Sequence, residues 1–329
     1  MKKNDFITVL ALSAISICTS CNKEKEESTI SPYIEGLTID SYPITDGSTS
    51  TLPLNTVIAC ELMGLNYQWQ ETTDYEIGIW SIEPQIGSRL KKKFDKVIKC
   101  SQTHNSYINL IDKEADIVLT ARTMSPDEKK YAEDSGVNLI ETPIAIDAFI
   151  FIINPLNPIK ALTTENIQDI YTGKVTDWEE LGWLNLPEWN PDISPFIRNP
   201  NSGSQELMDL LVMKDLEYYM QLPIYEERLI FTMAGLLDAI ARNPFAIGYT
   251  VYYYNEQIIR PGNLLKTIGI NGVHPNKQTI SNRSYPYAAE VYAVIRSDTD
   301  KSSMVYKIYE WLQTEDGRQA ISKSGYILN

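Results

Sequence analysis

Two hydrophobic rhythms alternate along this chain. Residues 37–42 and 288–296 alternate apolar and polar positions, and residues 115–120, 137–140 and 246–249 are short apolar runs; all read as strands. Residues 144–153 form the longest apolar run and suit a strand buried on both faces. Between these runs the spacing changes to that of amphipathic helices. Val57, Ile58 and Leu62 share a helical face, as do Leu207, Leu210 and Leu211, and residues 234–241, 304–312 and the stretch before Gly325 behave likewise. Ser125-Pro126-Asp127-Glu128 is a strong helix start, with a serine cap, a proline at the first position and a glutamate completing a capping box, and Gly136 stops that helix. Thr163 caps a helix through Tyr171 that Gly173 closes. Weaker patterns place helices over 89–96, with Lys91, Lys92 and Lys93 on a solvated face, and over 107–113. Trp178, Trp183 and Trp189 fall in a proline-rich loop. Strands alternating with helices define an α/β class with largely parallel sheets.

The first residues follow a different logic. Lys2 and Lys3 precede a nearly apolar stretch from Phe6 to Ile17, and Cys18-Thr19-Ser20-Cys21 ends it with small residues. Residues 1–20 therefore read as a secretory signal, too short for a comfortable permanent span. The pattern resembles bacterial lipoprotein signals, which implies lipid attachment at Cys21 and an extracytoplasmic, membrane-anchored chain. Residues 21–35 follow as a charged tether.

Composition narrows the classes. With 329 residues, 43% of them hydrophobic, the chain can bury a sizeable core and has the length of about two domains. A net charge of -14 argues against general nucleic-acid binding. Of four cysteines, Cys60 and Cys100 lie in the body, where a disulfide and buried thiols both remain open. The two histidines, His104 and His274, form no metal-ligand pair, and His104 reads as a solvated loop residue. No nucleophile elbow or Walker loop is present, so neither an enzymatic site nor a cofactor is expected.

Candidate chemistry lies in three hydroxyl-rich turns, each before a helix. The first runs Asp46-Gly47-Ser48-Thr49-Ser50-Thr51, the second spans Ser101, Thr103 and Ser106, and the third follows Arg198 as Ser202-Gly203-Ser204. Unpaired N–H groups at a helix start carry partial positive charge, and hydroxyls add donors without bulk. In open α/β sheets such strand ends hold ligands, so the turns together point to an oxyanion cradle.

At this point a resemblance is clear. The Asp46–Ser50 turn, the segment from Ala115 through Arg122, Ile146-Asp147-Ala148, the segment 171–178, Arg198 with Ser202-Gly203-Ser204, and Ala246-Ile247-Gly248-Tyr249 resemble the Pst-type phosphate-binding family of the phosphate ABC importers. The resemblance spans nearly the whole chain after the signal. It implies a two-lobed flytrap with two mainly parallel sheets joined by crossover strands near 143–147 and 248–251. Residues 36–145 and 250–329 would form the first lobe, and 146–249 the second. It implies phosphate contacts from Ser48, Thr49, Ser50, Arg122, Arg198, Ser202, Gly203 and Ser204, with Thr103 and Ser106 as lesser candidates. It further implies no cofactor, an ABC permease as partner, and a monomer.

Two departures follow. Some members carry an aspartate where Arg122 stands, and its carboxylate accepts the proton of hydrogen phosphate and so excludes sulfate. Asp46 and Asp147 are the candidates to replace that acceptor. The region 67–99 also looks elaborated and suits a partner surface. Sulfate or molybdate binding, and a sensing or adhesion role drawing on the 20 tyrosines, stand as alternatives.

Overall fold

The computed structural model describes residues 34–72, 78–184, 192–219, 229–230 and 232–329. The signal, Cys21, all but the last two tether residues and Trp189 lie outside the described residues.

Strands in chain order are β1 (Thr45–Gly47), β2 (Tyr67–Thr72), β3 (Ile79–Pro84), β4 (Ile117–Thr120), β5 (Leu139–Ile153), β6 (Ala161–Leu162), β7 (Ser194–Pro195), β8 (Ile197–Arg198), β9 (Leu229–Ile230), β10 (Ala246–Val251), β11 (Lys266–Thr267), β12 (Gly269–Ile270) and β13 (Ala288–Arg296). Among the described residues the main sheet has the order β1-β4-β13-β5-β10-β7, with β11 also beside β5.

β5 organises this sheet. Its first part pairs with β13, from Leu139 opposite Arg296 to Ala148 opposite Ala288. Its last part pairs with β10, from Phe149 opposite Val251 to Ile153 opposite Ile247. One strand thus belongs to both lobes, and residues 149–153 are fully buried. The long apolar run in the sequence reflects that double coverage.

The sheet is mixed rather than mainly parallel. β1–β4 and β7–β10 are parallel, whereas β13 is antiparallel to β4 and β5, and β10 is antiparallel to β5. β5 carries the chain out of the first lobe, while β10 and β13 bring it back, so neighbours at the crossing run in opposite directions. The ladder slips at Val291/Tyr292, opposite Pro143, which has no N–H to donate. The lobes also divide differently from the sequence reading. β11 pairs with Ile152 and Ile153, β12 pairs with β6, and Tyr285 Oη donates to the Phe149 carbonyl at 3.1 Å. Residues 266–287 therefore pack with the second lobe.

Helices follow the expected signals closely. Pro126–Asp134 carries the Ser125/Glu128 capping box, and Thr164–Tyr171 starts at Thr163 with Asn166 closing the box. The solvated helix spans Ser88–Val97. One helix starts earlier than its apolar pattern: it spans Thr103–Ile111, so Ser106 lies inside it and donates its hydroxyl to the Thr103 carbonyl at 2.8 Å. Trp178 is fully buried and donates Nε1–H to the Phe245 carbonyl at 2.9 Å. Cys60 is buried and Cys100 exposed, and both are free thiols.

Candidate functional site

The first turn is locked before any ligand arrives. Gly47 ends β1 where a Cβ would meet the Leu119 carbonyl oxygen at 2.4 Å, so only glycine lets β1 and β4 approach there. Ser48 N–H donates to Leu119 O at 3.3 Å, and Thr51 Oγ1 donates to the same oxygen at 2.7 Å. The Ser48 hydroxyl lies 3.0 Å from those of Ser50 and Thr51, and Tyr326 Oη donates to the Ser50 carbonyl at 3.0 Å. The buried helix Leu52–Met63 starts at once from this turn.

The second turn ends at Gln102, whose φ of 69° is unusual for a side chain of that size. Thr103 then opens the helix Thr103–Ile111. From the other lobe, Ser202 caps the helix Gly203–Met208, which continues as a π-helical turn through Met213, and its hydroxyl accepts from Gln205 N–H at 3.2 Å. A fourth helix, Met233–Arg242, is capped by Thr232, which accepts from Gly235 N–H at 3.0 Å.

All four helix starts border one cavity of about 250 Å³. Its lining includes Ser48, Thr49, Ser50, Gln102 and Thr103 from the first lobe and Arg198, Ser202, Gly203, Ser204 and Thr232 from the second. Val251 and Tyr254 close it at the crossing. Arg198 is the one cationic side chain among these described lining residues. Its backbone N–H is held by Gln205 Oε1 at 3.1 Å and Tyr249 Oη at 3.0 Å, and Tyr249 Oη donates in turn to Gln205 Oε1. Its guanidinium reaches Ser204 Oγ at 3.3 Å and Asn199 Oδ1 at 3.4 Å. Burial pulls its pKa down, the mark of a cation placed where solvation is poor. An anion in the cavity would face hydroxyls, helix-terminal N–H groups and this guanidinium, a set that suits an oxyanion.

The structure sets the other sequence candidates apart from the cavity. Arg122 is buried against Glu128, with NH1 to Oε2 at 2.7 Å and NH2 to Oε1 at 2.8 Å, while Ser125 N–H and His104 Nδ1 reach the same carboxylate. Burial pulls Arg122 down, but the bonds and charge of Glu128 reverse this and leave its pKa raised. Arg122 thus serves an internal ion pair, and His104 is a partner of that pair rather than a free loop residue. The Asp46 carboxylate is filled by N–H donors from Gly47 at 2.7 Å, Ser101 at 2.8 Å and Asn109 Nδ2 at 2.8 Å, and so braces the first turn against the second. Asp147 sits on β5 at the crossing, where Oδ1 accepts from Ala148 N–H at 2.8 Å and Tyr253 N–H at 2.9 Å. Its Oδ2 is buried without a partner, and burial raises its pKa to about 7. Arg122, Asp46, Asp147 and Ser106 are all absent from the cavity lining. No group of three or more His, Cys, Asp or Glu side chains suited to a metal ion occurs among the described residues.

Sequence reasoning missed Gln102, Thr232 and Tyr254. Thr232 was within reach, since a threonine before an apolar helical stretch is a capping signal. Gln102 and Tyr254 carry no such signal: Gln102 comes to the cavity with the second turn that it ends, and Tyr254 through the crossing that follows β10.

A family model described as a PBP superfamily domain matches residues 93–314, and the chain belongs to that superfamily. Among curated proteins, it is 28% identical to the phosphate-binding protein PstS of Staphylococcus epidermidis over 65% of this chain and 64% of that protein. It is 25% identical to PstS of Borreliella burgdorferi over 57% of this chain and 65% of that one. The aligned region thus spans just under two thirds of each relative's length. Its fold is shared with a phosphate ABC transporter substrate-binding protein of Clostridium perfringens solved with bound phosphate, at a TM-score of 0.59, 22% identity and coverage of 87% and 98%. A phosphate transport receptor of Vibrio cholerae aligns at a TM-score of 0.58 and 19% identity, over 87% and 99%.

Proposed function

We propose that this chain captures inorganic phosphate outside the cytoplasmic membrane and presents it to an ABC permease. The observation that carries this reading is the convergence of Ser48, Thr49, Ser50, Thr103, Arg198, Ser202 and Ser204, with four helix starts, on one cavity between the lobes. The relatives' names agree with it. Capture needs no cofactor and no bond making: the lobes close on the ion, water leaves, and each hydrogen bond to the ion strengthens in the drier cleft. Each charge-assisted bond contributes about 1.5–3 kcal/mol. The chain acts as a binding protein rather than an enzyme, works as a monomer, and is held at the membrane by lipid on Cys21. Among the described residues no helix is long and apolar enough to cross a membrane.

Sulfate is the competitor to test, because no carboxylate is among the described residues lining the cavity. Calorimetric titration with phosphate, sulfate, molybdate and arsenate decides between them. Tight phosphate binding with weak sulfate binding supports phosphate capture. Preferred sulfate or molybdate binding assigns another oxyanion, and no anion binding overturns the transport reading.

A further inference from the structure

The helix Ser88–Val97 is basic in an otherwise acidic chain. Residues 89–99 hold six of the chain's 29 lysines and arginines and one of its 43 acids, against a net charge of -14. The helix is seated by one side: Phe94 is buried and Val97 packs against the core. Arg89, Lys92 and Lys96 follow one another at spacings of three and four residues, so they form one stripe on the opposite side, and all three are exposed. Among the described residues no carboxylate pairs with any of the three. The acids beside the stripe are engaged by other lysines. Lys91 Nζ lies 3.3 Å from Glu83 Oε2 and 2.6 Å from Asp95 Oδ1, and Lys93 Nζ lies 2.6 Å from Asp40 Oδ1.

The Lys93–Asp40 pair ties this helix to the start of the body. Ile34 to Ser41 fold as two successive turns, with Leu37 N–H donating to Ile34 O at 3.2 Å and Ser41 N–H to Thr38 O at 3.1 Å. Ile34, the first described residue, is therefore held near Asp40 and so near the basic helix. Cys21 precedes Ile34 by thirteen residues, a length of chain that reaches at most about 45 Å. A lipid on Cys21 would bring the basic helix close to a bilayer. An anionic bilayer surface strengthens binding by about fivefold for each Lys or Arg held against it. Salt screens charges more than about 10 Å away, so the acidic bulk of the chain opposes this only weakly. Three unpaired cations on one side of one helix, next to the point where the anchor joins the body, are complementary to such a surface.

We propose that Arg89, Lys92 and Lys96 dock on the anionic phospholipid surface to which the chain is anchored, and so set the orientation of the body on that surface. This rests on reading Cys21 as the lipid anchor. The test is sedimentation of the mature chain, residues 21–329, with vesicles, using Cys21→Ser so that no lipid contributes. Vesicles of phosphatidylcholine are compared with vesicles in which about a third of the lipid is phosphatidylglycerol. The chain should bind the phosphatidylglycerol vesicles about tenfold or more tightly, and raising the salt to about 0.5 M should abolish the preference. Arg89→Gln, Lys92→Gln and Lys96→Gln together should remove it about tenfold or more, with Tm and phosphate affinity unchanged. A control carries Lys160→Gln, Lys174→Gln and Lys277→Gln, three exposed lysines of the second lobe, and loses the same charge. It should weaken vesicle binding less than about twofold. No preference for phosphatidylglycerol overturns the proposal and leaves the helix to a protein partner. Equal losses in the two triple variants also overturn it, because net charge rather than this face would then govern binding. Mass spectrometry for a diacylglyceryl group on Cys21 of the chain purified from its membrane tests the anchor by itself. A lipid-free Cys21 overturns the anchor reading, while the vesicle comparison still decides whether the helix binds anionic lipid.

Discussion

Thr103 and Gly203 face each other across the cleft with no room for a methyl group between them: a Cβ on Gly203 would lie 2.5 Å from Thr103 Oγ1. The two residues start helices on opposite lobes, so this contact exists only when the lobes are together. Gly203→Ala should hold them apart and weaken phosphate binding about tenfold or more, with little change in thermal stability. Thr103→Ala removes the clashing oxygen and leaves the next contact, the Thr103 Cβ, at 3.4 Å. Thr103→Ala also removes a hydroxyl from the cradle, so the double variant should bind about as well as Thr103→Ala alone, with Gly203→Ala costing little further in that background. Calorimetry on the four proteins of this cycle measures the coupling, and simple additivity would contradict the steric account.

Arg122 and Glu128 predict a different phenotype. Both are buried, and each guanidinium NH2 group meets its own carboxylate oxygen. Removing one member leaves a buried charge without its partner, a loss of about 3–5 kcal/mol. Arg122→Ala and Glu128→Gln should each lower Tm strongly, while the phosphate affinity of the folded fraction changes less than it does in Arg198→Ala. A specific affinity loss at unchanged Tm in Arg122→Ala would place Arg122 on the ligand after all.

Asp147 makes stability depend on pH. Its carboxyl is held at about 7 in the folded chain against 3.8 for a free side chain, because burial opposes its charge. Between those values the folded state binds more protons than the unfolded state, so stability is full at the acid end and falls as pH rises through about 7. Wild-type Tm should drop by on the order of 5 °C between roughly pH 5 and pH 8. Asp147→Asn keeps an acceptor for the Ala148 and Tyr253 N–H groups and cannot ionise, so its profile should be flatter. Parallel melting curves across that range check this, and identical slopes would contradict it.

The hydroxyl turns were legible because their chemistry is local: Ser48, Ser50, Ser202 and Ser204 stand next to helix starts that the sequence itself marks. The buried strand β5 was legible too, since ten consecutive apolar or small positions with one aspartate admit few other readings. Strand direction was not, because nothing in residues 288–296 says that the chain enters β13 from the second lobe. Arg122 shows the same limit at the site. Its neighbour Glu128 was read as half of a capping box, which it is, yet the same carboxylate also captures the guanidinium. A side chain with two employments is visible only in three dimensions. Asp46 was drawn toward the ligand by its place before Gly47, but N–H donors from the first turn, the second turn and the helix Thr103–Ile111 fill its oxygens first.

The most direct test of phosphate capture is equilibrium dialysis with radiolabelled phosphate on the wild-type protein and on Arg198→Ala. The wild type should bind one phosphate per chain. The variant loses the one cation among the described lining residues and should bind about 10–100-fold more weakly. Unchanged affinity in Arg198→Ala, or no saturable phosphate binding by the wild type, would contradict the assignment of this cleft.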